Sequence, residues 1–210
     1  MTYSERARTT SGRIRIRWIR VAGLLVVIAA IAALGDQLQA SSSSTVKSPV
    51  RVLRGEHRGP LGEADGAVPR GTTVFDDEVA GVANLDPALL NALRQAATDA
   101  AGNGVAFLVD SGWRSSEYQA HLLREAISKY GSETEAARWV ATPDSSAHVK
   151  GDAVDIGPSD AAAWLSDHGA RYGLCQIYAN EPWHFELRPN ARDNGCPAVY
   201  ADPTHDPRMH

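Results

Sequence analysis

Cysteine is scarce in this chain: Cys175 and Cys196 are the two among 210 residues. Neither has a second Cys or a His at ligand spacing, so a cysteine-built zinc site ranks below a disulfide between them. No internal repeat is visible, which sets aside a stacked-repeat architecture. The apolar run from Val21 to Leu34 stops at Gly35-Asp36 after fourteen residues, short of the roughly 20 that a full membrane span needs. Positive charge is also lacking over most of the length. The net charge is -4, and beyond residue 20 there are 15 basic residues against 24 acidic ones. An acidic body argues against nucleic acid as a partner.

The first twenty residues reverse that balance, with six Arg (Arg6, Arg8, Arg13, Arg15, Arg17, Arg20) against Glu5. A basic stretch followed by an apolar run reads as a secretory signal. Counting back to Trp18, with Arg20 snorkelling, lengthens the run to seventeen residues and makes it an uncleaved anchor. Both readings of 1–35, signal peptide or N-terminal membrane anchor, stay open. Either places residues 36–210 outside the cytoplasm, in the cell envelope or secreted. An oxidising compartment favours the Cys175–Cys196 disulfide, and closing a loop of about 20 residues contributes on the order of 3 kcal/mol. Ser41 to Ser44 form a serine run, and 47–71 is rich in Gly, Pro and charge without an apolar period. Residues 36–71 therefore read as a flexible extracytoplasmic linker, 72–197 as the folded domain and 198–210 as a C-terminal tail.

Within the domain, Asp86-Pro87 opens an amphipathic helix over 87–101, with Leu89, Leu90, Leu93 and Ala97 at helical spacing. Val105 to Val109 is a short strand. Ser115-Ser116 starts a helix over 116–130, stopped by Gly131. Ser132 and Glu135 make a capping box for a third helix reaching about Val140. Ala153 to Gly157 is a strand, Ser159 caps a helix over 160–168, and Leu174–Tyr178 and Trp183–Leu187 are two further strands. In the last of these, alternation sends Trp183, Phe185 and Leu187 to the core and His184, Glu186 and Arg188 outward. The order predicts α+β: a small, mostly antiparallel sheet with helices packed on one side.

The chemistry gathers in two stretches. Ser146-Ala147-His148-Val149-Lys150-Gly151-Asp152-Ala153-Val154-Asp155 offers an imidazole and a carboxylate seven residues apart across a glycine. Glu181-Pro182-Trp183-His184 offers a carboxylate and an imidazole three apart. Both spacings are odd, so neither pair shares a face of an uninterrupted strand. A turn at Lys150-Gly151-Asp152 and a break at Pro182 would let all four side chains meet above one sheet surface. Two His and one Asp form a three-ligand zinc set with an open fourth position, and Glu181 is left as the base.

These segments carry a resemblance. Ser146-x-His148-x-x-Gly151-x-Ala153-x-Asp155 resembles the S-x-H-x-x-G-x-A-x-D signature of VanY-type D-alanyl-D-alanine carboxypeptidases, the zinc peptidases of peptidoglycan. Glu181-Pro182-Trp183-His184-Phe185 is similar to that family's second signature, and Ser111-Gly112-Trp113-Arg114-Ser115 with Tyr118-Gln119 to its upstream element. The three motifs span 78 residues, Ser111 to Arg188. The resemblance implies His148, Asp155 and His184 as ligands of one Zn2+ and Glu181 as catalytic base. It implies Arg114 on the substrate carboxylate or developing oxyanion, and Gln119 and Ser146 in substrate hydrogen bonds. Trp113 stands where the family usually has Tyr, Ala147 where an acid is common, and Asp152 where a neutral residue is usual. Asp152 is therefore either a solvated loop acid or a partner of His148.

The implied function is hydrolysis of the terminal D-Ala-D-Ala bond of peptidoglycan stem peptides. Rival readings are L,D-carboxypeptidase or L-Ala-D-Glu endopeptidase activity on the same polymer, a non-catalytic zinc-containing binding module, and a disulfide-held surface protein without metal. The sequence does not report oligomeric state.

Overall fold

Asp86 starts the first long helix by accepting hydrogen bonds from Ala88 N at 2.9 Å and Leu89 N at 3.0 Å, with Pro87 in the first turn. Those contacts satisfy amides that the helix itself leaves unpaired. In the computed structural model, which describes residues 61–209, the helices are α1 (Ala80–Ala83), α2 (Pro87–Ala101), α3 (Ser116–Tyr130), α4 (Glu133–Ala136), α5 (Ala147–Lys150), α6 (Ser159–His168) and α7 (Ala191–Asn194). The strands are β1 (Leu108–Ser111), β2 (Ala153–Gly157), β3 (Leu174–Gln176) and β4 (His184–Leu187). The expected signal or anchor over 1–35, and the linker up to residue 60, lie outside the described residues. Among the described residues, no helix is long and apolar enough to cross a membrane.

The four strands form one antiparallel sheet in the order β1-β2-β4-β3. Directly opposed residues of an antiparallel pair point to the same face. Val154 opposite Phe185, and Leu174 opposite Leu187, therefore define one face. It packs on the buried side of α2 (Leu89, Leu93, Ala96) and on Leu165 of α6. Asp155 opposite His184, and Cys175 and Ala153 opposite Glu186, define the other. The expected α+β architecture is present: an apolar face under helices and a polar face above.

Several local expectations shift. The first strand pairs from Leu108, not Val105. The helix after Ser132 forms as capped, with Glu135 N donating to Ser132 Oγ at 3.2 Å, but it ends at Ala136. Pro158, not Ser159, occupies the cap of α6. Trp183, expected in the core, precedes β4 and is 40% exposed. His184 and Glu186 do face away from Phe185, yet both are buried rather than solvated.

Residues set apart in the sequence as linker and tail join the fold, and those of the tail reach that second face through Arg208 on Glu186. Asp65 is buried, and its carbonyl accepts from Ser115 N at 2.8 Å. Cys196 is joined to Cys175 of β3, 21 residues away. Tyr200 pairs with Tyr178, and Asp202 and Asp206 are buried. Residues 61–71 and 198–209 therefore belong to the folded body, tied by backbone hydrogen bonds and ion pairs, with the disulfide just before the second stretch.

Gly112 occupies a position with no room for a side chain. A Cβ there would lie 2.0 Å from Gly81 O, while the Gly112 carbonyl receives the His148 ring. Gly112→Ala is expected to destabilise the fold by about 2 kcal/mol or more, read as a lowered denaturant midpoint at unchanged slope.

Candidate metal centre and catalytic cleft

One helical turn and one glycine resolve the spacing between the first His and its Asp. His148 sits on α5, and Gly151 closes the turn at φ +78 with its amide on His148 O at 3.1 Å. A Cβ at Gly151 would lie 2.6 Å from Asn84 O, so the turn packs against the chain before α2 in a way only glycine permits. The chain then reverses into β2 and delivers Asp155 beneath His148. At the second pair, His184 N bonds to Glu181 O at 3.0 Å. That tight turn through Pro182 brings Glu181 to the edge of β4 and His184 to its first position.

The donors converge. His148 Nε2 lies 3.2 Å from His184 Nδ1 and 3.4 Å from Asp155 Oδ1, and the last two are 3.1 Å apart. Four donors around tetrahedral zinc, at its usual bond lengths, stand about 3.3–3.4 Å from one another. Three corners of such a figure are therefore already in place. Glu181 Oε2 is 3.9 Å from His184 Nδ1, and Glu181 Oε1 is buried without a hydrogen-bond partner. All four side chains are buried. Each imidazole is turned by its other nitrogen. His148 Nδ1 donates to Gly112 O at 2.8 Å, and His184 Nε2 faces Glu186 Oε1 at 3.3 Å. These contacts leave Nε2 of His148 and Nδ1 of His184 with lone pairs toward the common centre.

Arg114 borders the same cleft. Its Nε donates to Ser111 Oγ at 2.8 Å, Nη1 to Gln119 Oε1 at 3.0 Å and Nη2 to Asp155 Oδ2 at 3.1 Å. Gln119 is fixed in turn by its Nε2 on Ala141 O at 2.9 Å. Ser146 is buried and lines the cleft with Trp139 and Tyr178.

The charge balance suits a cation. Burial pushes Glu181 up to about 7, outweighing the pull of His184. Burial, and then the charge of Arg114, push His148 below its ordinary value. For His184, burial opposes protonation, but Asp155 and Glu186 outweigh it and raise the ring to about 9. For Asp155, the two imidazoles overcome burial and hold the carboxyl well below the usual range. Asp155, Glu181 and Glu186 thus place negative charge around the two imidazoles, an environment that favours positive charge at their centre. Among the described residues, His148, Asp155 and His184 are the group of donors close enough to share an ion.

Every residue singled out in the sequence for this site, Arg114, Gln119, Ser146, His148, Asp155, Glu181 and His184, lies at or beside one cleft. Gln119 supports Arg114 instead of standing free. Asp152 is exposed and does not orient His148; the Gly112 carbonyl does. Sequence reasoning missed Glu186, Tyr178, Asp206 and Arg208. Glu186 was legible, because a period of two places it on the His184 face. Arg208 had no signal, since its contact depends on where the chain returns.

Residues 82–190 match the family described as VanY, D-alanyl-D-alanine carboxypeptidase. A D-alanyl-D-alanine carboxypeptidase of Enterococcus faecalis is 31% identical over 111 residues, covering 41% of this chain and 41% of that protein. The chain therefore spans less than half the length of that curated relative. The solved structure of the LdcB LD-carboxypeptidase shares the fold, with a TM-score of 0.50 and 23% identity over 65% of this chain and 76% of the other. A vancomycin-resistance D,D-pentapeptidase VanY in complex with Zn(II) is 27% identical, with a TM-score of 0.47, over 49% of this chain and 72% of its own. The stretch from Val82 to Asn190 takes in more than half of the chain and both histidine–carboxylate pairs, and by that match this protein belongs to the VanY family of D-alanyl-D-alanine carboxypeptidases.

Proposed function

We propose that the domain is a zinc-dependent D-alanyl-D-alanine carboxypeptidase acting on peptidoglycan stem peptides outside the cytoplasmic membrane. The observation that carries this reading is the triangle of His148 Nε2, His184 Nδ1 and Asp155 Oδ1, beside a buried carboxylate oxygen of Glu181 that has no partner. The donors suit zinc: two neutral nitrogens, one carboxylate and a free corner. When bound, zinc supplies Lewis acidity, polarising the scissile carbonyl and acidifying the attacking water.

The chain's own groups then do the proton work. Glu181 Oε1 takes a proton from water as the new C–O bond forms. It returns that proton to the departing amine nitrogen as the C–N bond breaks. Burial strengthens this carboxylate as a proton acceptor, which suits a group that takes and then returns a proton. Arg114 has N–H bonds beyond the three already engaged, and they suit a terminal carboxylate or the developing oxyanion. Ser111, Gln119 and Asp155 hold the guanidinium flat and fixed for that purpose. Ser146 and Gln119 complete the polar lining, with Gln119 acting through Arg114.

The basic, apolar N-terminal sequence and the disulfide support a location in the cell envelope, anchored or secreted. Intact Glu181 and Arg114 favour an enzyme over a non-catalytic module. The choice of bond rests on family membership, and digestion of stem peptides tests it. Pentapeptide is expected to release free D-Ala, read by mass; release from tetrapeptide in its place would establish the L,D-specific reading. EDTA is expected to abolish that release and one equivalent of zinc to restore it. Activity that survives full chelation would overturn the metal assignment. Glu181→Gln is expected to lower kcat/KM at least about 100-fold while retaining about one zinc per chain. An unchanged rate would remove Glu181 from the base role.

A further inference from the structure

Beyond the end of the family match at residue 190, the chain returns to the back of the metal centre. We infer that Arg208 and Glu186 form a clamp by which the C-terminal segment orients His184 and sets how firmly the cation is held. The inference rests on the zinc reading above.

Glu186 stands two residues past His184 on the same face of β4 and is 1% exposed. Its Oε1 is 3.3 Å from His184 Nε2. Its Oε2 accepts from Arg188 Nη2 at 2.6 Å and from Arg208 Nη1 at 2.7 Å, while Arg208 Nη2 reaches Oε1 at 3.3 Å. Arg208 is itself anchored, with Nε 3.0 Å from both oxygens of the fully buried Asp206. Asp206 Oδ2 also accepts from Tyr178 Oη at 3.0 Å, and the Tyr178 ring lies 5.1 Å from the His184 ring. Two routes from the same two C-terminal residues, Asp206 and Arg208, therefore end on one imidazole: a carboxylate at its outer nitrogen and an aromatic ring against its plane.

This arrangement does more than fasten a chain end. An imidazole has two equivalent-looking nitrogens and can turn over about its side-chain bond. A carboxylate on Nε2 selects the tautomer whose Nδ1 lone pair faces Asp155 and His148, and it makes that nitrogen a stronger donor. Glu186 left with only Arg188 would be freer to follow that arginine away from the ring. Arg208 removes that freedom by holding both carboxylate oxygens. His148 has a backbone carbonyl in the same role, from within the matched region. Glu186 lies within that region too; Asp206 and Arg208 are the part of the clamp supplied from outside it.

The test compares zinc affinity, by competition with a chromogenic chelator, in the full chain and in Arg208→Ala, Arg208→Lys and Glu186→Gln. Visible spectra of the cobalt-substituted proteins and melting curves of the metal-free proteins accompany it. Arg208→Ala and Glu186→Gln are expected to bind zinc about 10-fold more weakly and to alter the cobalt spectrum. Arg208→Lys, which keeps the charge but not the fork of donors, is expected to recover part of the affinity. A staple that merely fastens the chain end would lower the metal-free melting temperature but leave affinity and spectrum alone; affinities within twofold of wild type, with an unchanged spectrum, overturn the clamp. Should Arg208→Ala fail to fold, Glu186→Gln, which keeps the shape, decides. A wild-type chain that binds no zinc at all removes the metal reading itself, a result distinct from loss of the clamp alone.

Discussion

The ladder between β2 and β4 sets Asp155 directly across from His184, and the rest of the site is built outward from that pairing. Because side chains alternate, a slip of either strand by one residue would send its polar group into the helix-covered core and bring Val154 or Phe185 to the cleft. The register is held by what lies on the reverse side. Val154 and Phe185, opposed and fully buried, belong to the core shared with α2 and α6. The same hydrophobic burial that stabilises the domain therefore fixes the separation of two polar groups it never touches. His148 and Glu181 are then added from the turns that flank these strands, where their odd spacing becomes compatible with a common centre.

Such a centre is costly to fold. Asp155, Glu181 and Glu186 are all buried around two imidazoles, and isolated buried charges are strongly unfavourable. The structure offsets this by giving nearly every buried polar atom a partner: Arg114 on Asp155, the Gly112 carbonyl on His148, Arg188 and Arg208 on Glu186. The exception among these groups is Glu181 Oε1. The base role proposed for Glu181 rests on that oxygen.

Much of this was legible in the residues. Asp86-Pro87, Ser115 and Gly131 bound their helices as local chemistry predicts, because caps depend on contacts within a few residues. The convergence of His148, Asp155 and His184 was expected from donor types, from the glycine and proline that let odd spacings meet, and from the family resemblance. The burial of His184 and Glu186 was not legible. Alternation correctly turned them away from Phe185, but alternation cannot say whether the second face of a sheet meets water or protein. Trp183 misled for the opposite reason: an aromatic at a core-phase position lies just before the ladder begins, where the turn from Glu181 lifts it into solvent. The ends of the domain failed similarly. Polar, proline-rich sequence lacks a hydrophobic period, and ion pairs that bind such segments leave no periodic trace.

The polar face explains why those ends are needed. A two-layer domain with helices on one side leaves the opposite side of its sheet open. In many small sheets that side simply carries solvated residues. Here it carries groups whose electrostatic use depends on exclusion of water, since charge interactions weaken as the surrounding dielectric rises. An apolar cover would strand the carboxylates, and open solvent would screen them. The C-terminal segment meets both demands. Tyr178, Asp206 and Arg208 form a layer polar enough to pair with Glu186 and dense enough to bury it. The disulfide from Cys175 to Cys196 fixes where that layer begins, at the β3 residue that stands opposite Glu186. A segment with little hydrophobic reason to fold is thus held in place by the charges it neutralises, and those charges in turn orient the histidine beneath them.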